Sequence, residues 1–139
     1  MKTFLDTSVV VASLDPDEPR HAACDRLMAA GGHTLYAHAL AETFSILTGG
    51  RLGRRERPAI ATRLLKQSVL PFVSVQTLSG KDVMAALAEC DSRGVRGGAI
   101  YDLLHLAAAR KAKAEVLLTL DVRNFRAFAA PSDPRIESP

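Results

Sequence analysis

A helix-forming stretch that runs straight into a continuous apolar strand, AIYDLLHLAAARKA and then VLLTL, restricts this chain more than any other feature. Residues 99–112 are rich in Ala and Leu, strong helix formers, and Leu103, Leu104, Ala107 and Ala108 share one stripe. Arg110, Lys111 and Lys113 suit the negative end of a helix dipole. Residues 116–120 show no polar alternation, which predicts a strand covered on both faces. A helix that turns back tightly into such a strand runs antiparallel to it, so its start lies near the strand's end. Asp102, at the helix start, and Asp121, just past the strand, are 19 positions apart. They are therefore expected to meet at the carboxyl edge of a sheet, where open α/β folds place their ligands.

The remainder reads as further alternation. Strands are expected at residues 2–5, 33–36, 70–75 and 135–137, with Pro71 putting the third at an edge or at its own start. Helices are expected to open at residues 9–12 and to run over 20–30, 38–48, 59–67, 79–92 and 122–128. On the second of these, Ala23, Leu27 and Ala30 form the inward stripe, and Gly31-Gly32 stops it. Ser79 with Asp82 three positions on reads as a cap. Strand–helix alternation predicts a parallel sheet with helices on both faces. At 139 residues, with no repeat or linker, the chain 1–139 is read as one domain.

Composition narrows the class. With 47 % hydrophobic and 24 % charged residues the chain is ordinary for a globular protein. No apolar run approaches the roughly 20 residues of a membrane span. Asp6 interrupts the apolar N-terminal stretch, which argues against a signal peptide, so a cytoplasmic protein is expected. Cys24 and Cys90 lack metal-ligand spacing and are read as reduced, partly buried thiols.

The same topology adds two acids to the pair. Asp6 ends the first strand, and Glu42 lies in the first turns of the helix after the second, so both belong to the carboxyl edge. Four gathered carboxylates repel one another unless protonated or neutralised. Oxygen donors without a His or Cys cluster point to Mg²⁺ or Mn²⁺. Such ions polarise a phosphoryl oxygen and acidify a bound water, so the implied reaction is phosphodiester hydrolysis. Setting these four of the 15 acids aside leaves 18 basic side chains against 11 acidic, a surface suited to a polyanion. Each acid also has a plainer reading. Asp6 and Asp121 can cap helices, Asp102 can oppose a helix dipole, and Glu42 can face solvent. Their joint placement at one edge is what capping does not explain.

The segments FLDTSVV, AHALAETFSIL, GGAIYDLLHLAAA and LLTLDVRNF resemble, in order and spacing, the PIN-domain nucleases, and especially the VapC-type toxins of toxin–antitoxin modules. The likeness covers essentially the whole chain. It implies a three-layer α/β/α sandwich around a parallel sheet of about five strands, and an Mg²⁺- or Mn²⁺-dependent endoribonuclease leaving a 5′-phosphate and a 3′-hydroxyl. It implies catalytic and metal-holding roles for Asp6, Glu42, Asp102 and Asp121, the last at a position where some members carry Asn. It assigns Thr7, Ser8 and Thr119 to hydroxyl positions that orient the acids or metal-bound waters. It also implies a homodimer and a cognate antitoxin.

Six arginines are candidates for RNA contacts. Arg51, Arg54, Arg55 and Arg57 sit on a glycine-bearing connection, and Arg93 and Arg96 precede the Asp102 helix, which suggests the rim of the site. His105, one turn from Asp102, is read as packing or hydrogen-bonding rather than as a base. Tyr101 has two readings, a ring that stacks on a base and a core residue, of which the core is favoured; Leu103, Leu104 and Phe44 are read as core. Two other functions compete. A degenerate domain would bind RNA or a partner without cutting. A phosphotransfer domain would use Asp6 as nucleophile, but it wants a second acid where Ser8 stands.

Overall fold

The computed structural model describes residues 1–139 except Arg51, Leu52 and Arg54. The arginines anticipated as RNA contacts at 51 and 54 therefore lie outside the described residues. The chain runs β1 (Thr3–Leu5), α1 (Thr7–Leu14), α2 (His21–Ala30), β2 (His33–Tyr36), α3 (Ala37–Thr48), α4 (Pro58–Ser68), β3 (Val73–Gln76), α5 (Gly80–Arg93), α6 (Ala99–Lys111), β4 (Val116–Leu118), α7 (Val122–Arg126) and β5 (Arg135–Glu137). The five strands form one sheet in the order β3-β2-β1-β4-β5, and every pairing is parallel. Both faces are covered, as the unbroken apolar runs require. Among the described residues no helix is long and apolar enough to cross a membrane.

The alternating pleat divides the core in two. Phe4, Leu117 and Ile136 point to one face and pack with Leu103, Leu106 and Phe125 from α6 and α7. Leu5, Leu35, Val116 and Leu118 point to the other, against Val9 and Val10 of α1 and Cys24 and Met28 of α2. Neighbours on one strand thus serve opposite cores, which fixes the register, because a one-residue slip would exchange the two sets. Both cysteines are free thiols, Cys24 buried and Cys90 half-buried.

Four local expectations need correction. The segment read as a strand from residue 70 begins with a 3₁₀ turn at Leu70–Phe72. Pro71 lacks the N–H that a ladder needs, and its fixed φ suits a helical turn instead. The strand read over 116–120 ends at Leu118. Beyond it the Leu120 N–H leaves the ladder to donate to Ser8 Oγ at 3.0 Å, and the Asp121 N–H donates to Thr119 Oγ1 at 2.9 Å. On α2 the buried positions are Cys24 and Met28 rather than the Ala23–Leu27–Ala30 stripe. Phe44, read as core, is only half-buried. By contrast Ser79 and Asp82 form a full capping box at the start of α5.

Candidate active site

Asp6 is the pivot. It follows β1 and precedes α1 with extended backbone, φ −76° and ψ 159°, and its N–H donates to the Leu118 carbonyl, which ties it to β4. It is only 4 % exposed. Ser8 Oγ donates to Asp6 Oδ2 at 2.8 Å and Thr119 Oγ1 donates to the same oxygen at 2.9 Å. The Ser8 N–H at 3.4 Å completes the helix cap. The capping role of Asp6 and its place in the cluster therefore coexist. Its second oxygen, Oδ1, faces His105 Nδ1 at 4.0 Å.

Glu42 enters from α3. Its Oε1 accepts from Thr7 Oγ1 at 3.0 Å and from His105 Nε2 at 2.6 Å. Burial pushes this carboxyl up, but the His105 hydrogen bond and charge, helped by Thr7 and His38, outweigh it and leave it below the usual range. His105 is 1 % exposed. Burial alone would favour its neutral form, yet the bond to Glu42 and the charges of Asp6, Glu42 and Asp102 raise it above the ordinary imidazole value. It hydrogen-bonds, as anticipated, and it acts as an internal counter-charge to the acids.

Asp102 stands in the first turn of α6. Burial, then the charge of Asp6, lifts its carboxyl to about 6, with smaller contributions from Asp121 and Glu42 and with His105 opposing. Asp121 precedes α7 without a side-chain capping bond, and burial and the Asp6 charge raise it as well. The four anticipated acids are therefore brought to one edge and feel one another's charge. They are neighbours without closing on a single point. Among the described residues no three His, Cys, Asp or Glu side chains are grouped closely enough to hold a metal ion as they stand, and Glu42 is turned onto His105 and Thr7.

The donor set nevertheless fits a hard divalent cation. It consists of carboxylate and hydroxyl oxygens, and its only imidazole is already committed to Glu42. A nearby dication would also offset the burial and the acidic neighbours that raise the Asp102 carboxyl.

Thr7, Ser8 and Thr119 all touch an acid directly. Thr119 is fully buried and bridges two of them, donating to Asp6 while accepting from the Asp121 N–H. Thr119→Val keeps the shape and deletes both bonds. It should cost about 1–2 kcal/mol in a denaturant titration and roughly tenfold in cleavage, in line with other supporting shells around metal ligands.

The basic candidates divide. Arg55, Arg57 and Arg96 are exposed. Arg93 corrects the expectation of a phosphate contact, because its guanidinium is 10 % exposed and donates to Asp133, Glu89 and the Phe128 carbonyl. Tyr101 corrects another, being 53 % exposed rather than core. It stacks on His38. His38 has no motif signal beyond its place four positions before Glu42, which puts both on one helix face.

The PIN domain family model matches residues 3–131. Two curated relatives from Mycobacterium tuberculosis are similar over most of their length. Ribonuclease VapC27 is 34 % identical over 119 residues, covering 86 % of this chain and 84 % of that protein. Ribonuclease VapC40 is 37 % identical over 119 residues, covering 85 % of each. Among solved structures, VapC20 of Mycobacterium tuberculosis, described as a sarcin–ricin loop cleaving toxin, superposes with a TM-score of 0.72 at 23 % identity. That match covers 96 % of this chain and all of the other. VapBC2 from Rickettsia felis, bound to a promoter DNA fragment, gives 0.67 at 20 % identity, covering 99 % and 98 %. These two likenesses concern the fold.

Proposed function

The chain belongs to the PIN-domain family, and we propose that it hydrolyses RNA phosphodiesters at the cleft around Asp6 with Mg²⁺ or Mn²⁺, as the VapC-type toxin of a toxin–antitoxin pair. One observation carries the chemistry: carboxylates from four separate elements share one edge of the sheet, and one of them, Asp102, is raised to about 6 by burial and then by the charge of the others. The relatives named ribonuclease VapC support RNA as substrate, a structural neighbour described as a toxin–antitoxin complex from Klebsiella pneumoniae supports a cognate antitoxin as partner, and a cytoplasmic site of action belongs to the same reading.

Asp6, Asp102, Asp121 and Glu42 would hold the cation. Bound there, a divalent ion would supply the charge that polarises a scissile phosphate and acidifies an attacking water. The protein's own contribution is placement. Ser8 and Thr119 fix one Asp6 oxygen, Oδ2, which leaves Oδ1 without a hydrogen bond from either hydroxyl and facing His105. His105 and Thr7 hold Glu42 ionised and aimed. The exposed Arg55, Arg57 and Arg96 are proposed to contact RNA phosphates.

The test pairs cleavage with a direct binding readout. Single-stranded RNA should be cut in Mn²⁺ to products with a 5′-phosphate, and EDTA should stop the reaction. Independently, Mn²⁺ at about 100 times its dissociation constant should stabilise the wild-type protein by about 2.7 kcal/mol, and much less in Asp6→Asn. RNA that is retained on a gel yet never shortened would favour the binding-only domain instead.

A further inference from the structure

Next to the acids, on the Glu42 side, lies an open groove of about 380 Å³ lined by His38, Ala41, Glu42, Ser45, Ile46 and Tyr101. One wall is aromatic. The Tyr101 and His38 rings lie within 15° of parallel with centroids 6.0 Å apart. The row continues inward through Tyr36, 5.9 Å from His38 and edge-on to His105 at 5.4 Å. Its inner end thus rests on the same imidazole that holds Glu42, while its outer end, Tyr101, is more than half exposed.

That exposure needs a reason. Aromatic residues make up only 5 % of the chain, and a ring left in water at the mouth of a cleft gains nothing from the core. Tyr101 is also the neighbour of Asp102 in the first turn of α6. A second groove, of about 410 Å³, borders Ser8 and Asp121, with Val11, Ala12, Glu18 and Leu120 in its lining. It shares Ile46 with the first groove but has no aromatic lining. A strand that ran along both grooves would therefore meet a flat ring in one of them only.

We propose that the Tyr101–His38 groove seats a nucleobase of the RNA beside the scissile phosphate, by stacking on Tyr101. The proposal rests on the RNA-hydrolase reading above and adds to it where the strand is gripped. Flat, nearly parallel rings suit another flat ring, and base–aromatic stacking tolerates any base because each has a π-face. The Ser45 hydroxyl and the His38 ring nitrogens border the same groove and offer hydrogen bonds to a base edge, so base preference at this position is set there. Tyr101 is a positioning residue. It fixes the register of the strand, hence which phosphate faces Asp6 and Asp102.

The experiment uses the full chain carrying Asp6→Asn, so that RNA stays intact, and a short single-stranded RNA in which each base in turn is replaced by an abasic ribose. Affinity is read by fluorescence anisotropy in Mg²⁺. One abasic position should weaken binding about tenfold with Tyr101 present. The same position should cost almost nothing once Tyr101→Ala is added, and Tyr101→Phe should restore the penalty. Tyr101 is exposed, so these variants fold. Equal abasic penalties with and without the ring overturn the proposal. So does a Tyr101→Ala protein that binds RNA unchanged but loses affinity for the antitoxin encoded beside it, which would assign the groove to a protein partner. Should the wild-type protein cut no RNA, the catalytic reading fails by itself, because the coupling between Tyr101 and one base is measured without cleavage.

Discussion

Asp102→Asn is expected to lower RNA cleavage by at least about a hundredfold while making the metal-free protein more stable at neutral pH. The loss follows from position. Changing groups that merely support metal ligands costs about 10–100-fold, and a carboxylate facing the cation directly should cost more. The gain follows from linkage. In the native state burial and the Asp6 charge lift the Asp102 carboxyl to about 6 from its ordinary 3.8. Below about pH 4 it is protonated in both native and unfolded chains and has no effect. Between about 4 and 6 the unfolded chain gives up this proton and the native chain keeps it, so native stability falls as pH rises. Above about 6 the penalty is complete. Taken at face value it would be near 3 kcal/mol, and because Asp102 is partly open to water about 1–2 kcal/mol is the better expectation. Urea titrations in EDTA at pH 7.5 and pH 4.5 check it. Asn should stabilise at the higher pH and only about a third as much at the lower. A variant that melts earlier at pH 7.5, or that still cuts RNA at full rate, would falsify the role given to Asp102.

The sheet and the acids were legible for one reason: both depend on topology, and topology follows from coarse pattern. Unbroken apolar runs such as VLL and FL require cover on two faces. Alternation with helices then makes the strands parallel, and parallel strands put every strand end at one edge. Asp6, Glu42, Asp102 and Asp121 follow from counting to that edge. What could not be read is set by pairwise side-chain choices. Arg93 and Arg96 have the same charge and almost the same place in sequence, yet only Arg93 finds a buried acceptor, and that acceptor lies 40 positions away. Tyr101 sits in a helix whose following residues, Leu103 and Leu104, are buried. By rotation it falls on the face of His105 and Ala108, four and seven positions on and both buried, so its exposure follows from its place in the first turn and not from its angle on the helix. The end of β4 was misjudged because the Ser8 and Thr119 hydroxyls capture backbone N–H groups that pattern alone would give to the ladder.

The fate of Arg93 leads to the largest stability effect expected in this chain. Asp133, whose side chain is fully buried, accepts from Arg93 Nη1 at 2.6 Å and from the Ala130 N–H at 2.7 Å, and pairs with Arg110 Nε at 3.5 Å. Glu89 of α5 binds both guanidiniums, Arg93 at 3.0 Å and Arg110 of α6 through two bonds at 3.1 and 2.7 Å. Two acids and two arginines thus join α5 and α6 to the segment between α7 and β5. Asp133→Ala removes one acid and leaves two cations sharing Glu89, with Arg93 still largely enclosed. Breaking a buried pair from one side costs about 3–5 kcal/mol, which for a chain of this size lowers the melting temperature by on the order of 10 °C. Arg93→Ala should destabilise by a similar route. Neither change should alter how RNA affinity depends on salt, because the guanidinium is spent inside the protein. Arg96→Ala, at an exposed loop position, should do the reverse, leaving the melt unchanged and reducing the log–log salt slope by about 0.7 for a single-stranded RNA. If Arg93→Ala instead reduced that slope and melted normally, the ion-pair network would not be what holds these helices, and Arg93 would return to the RNA surface.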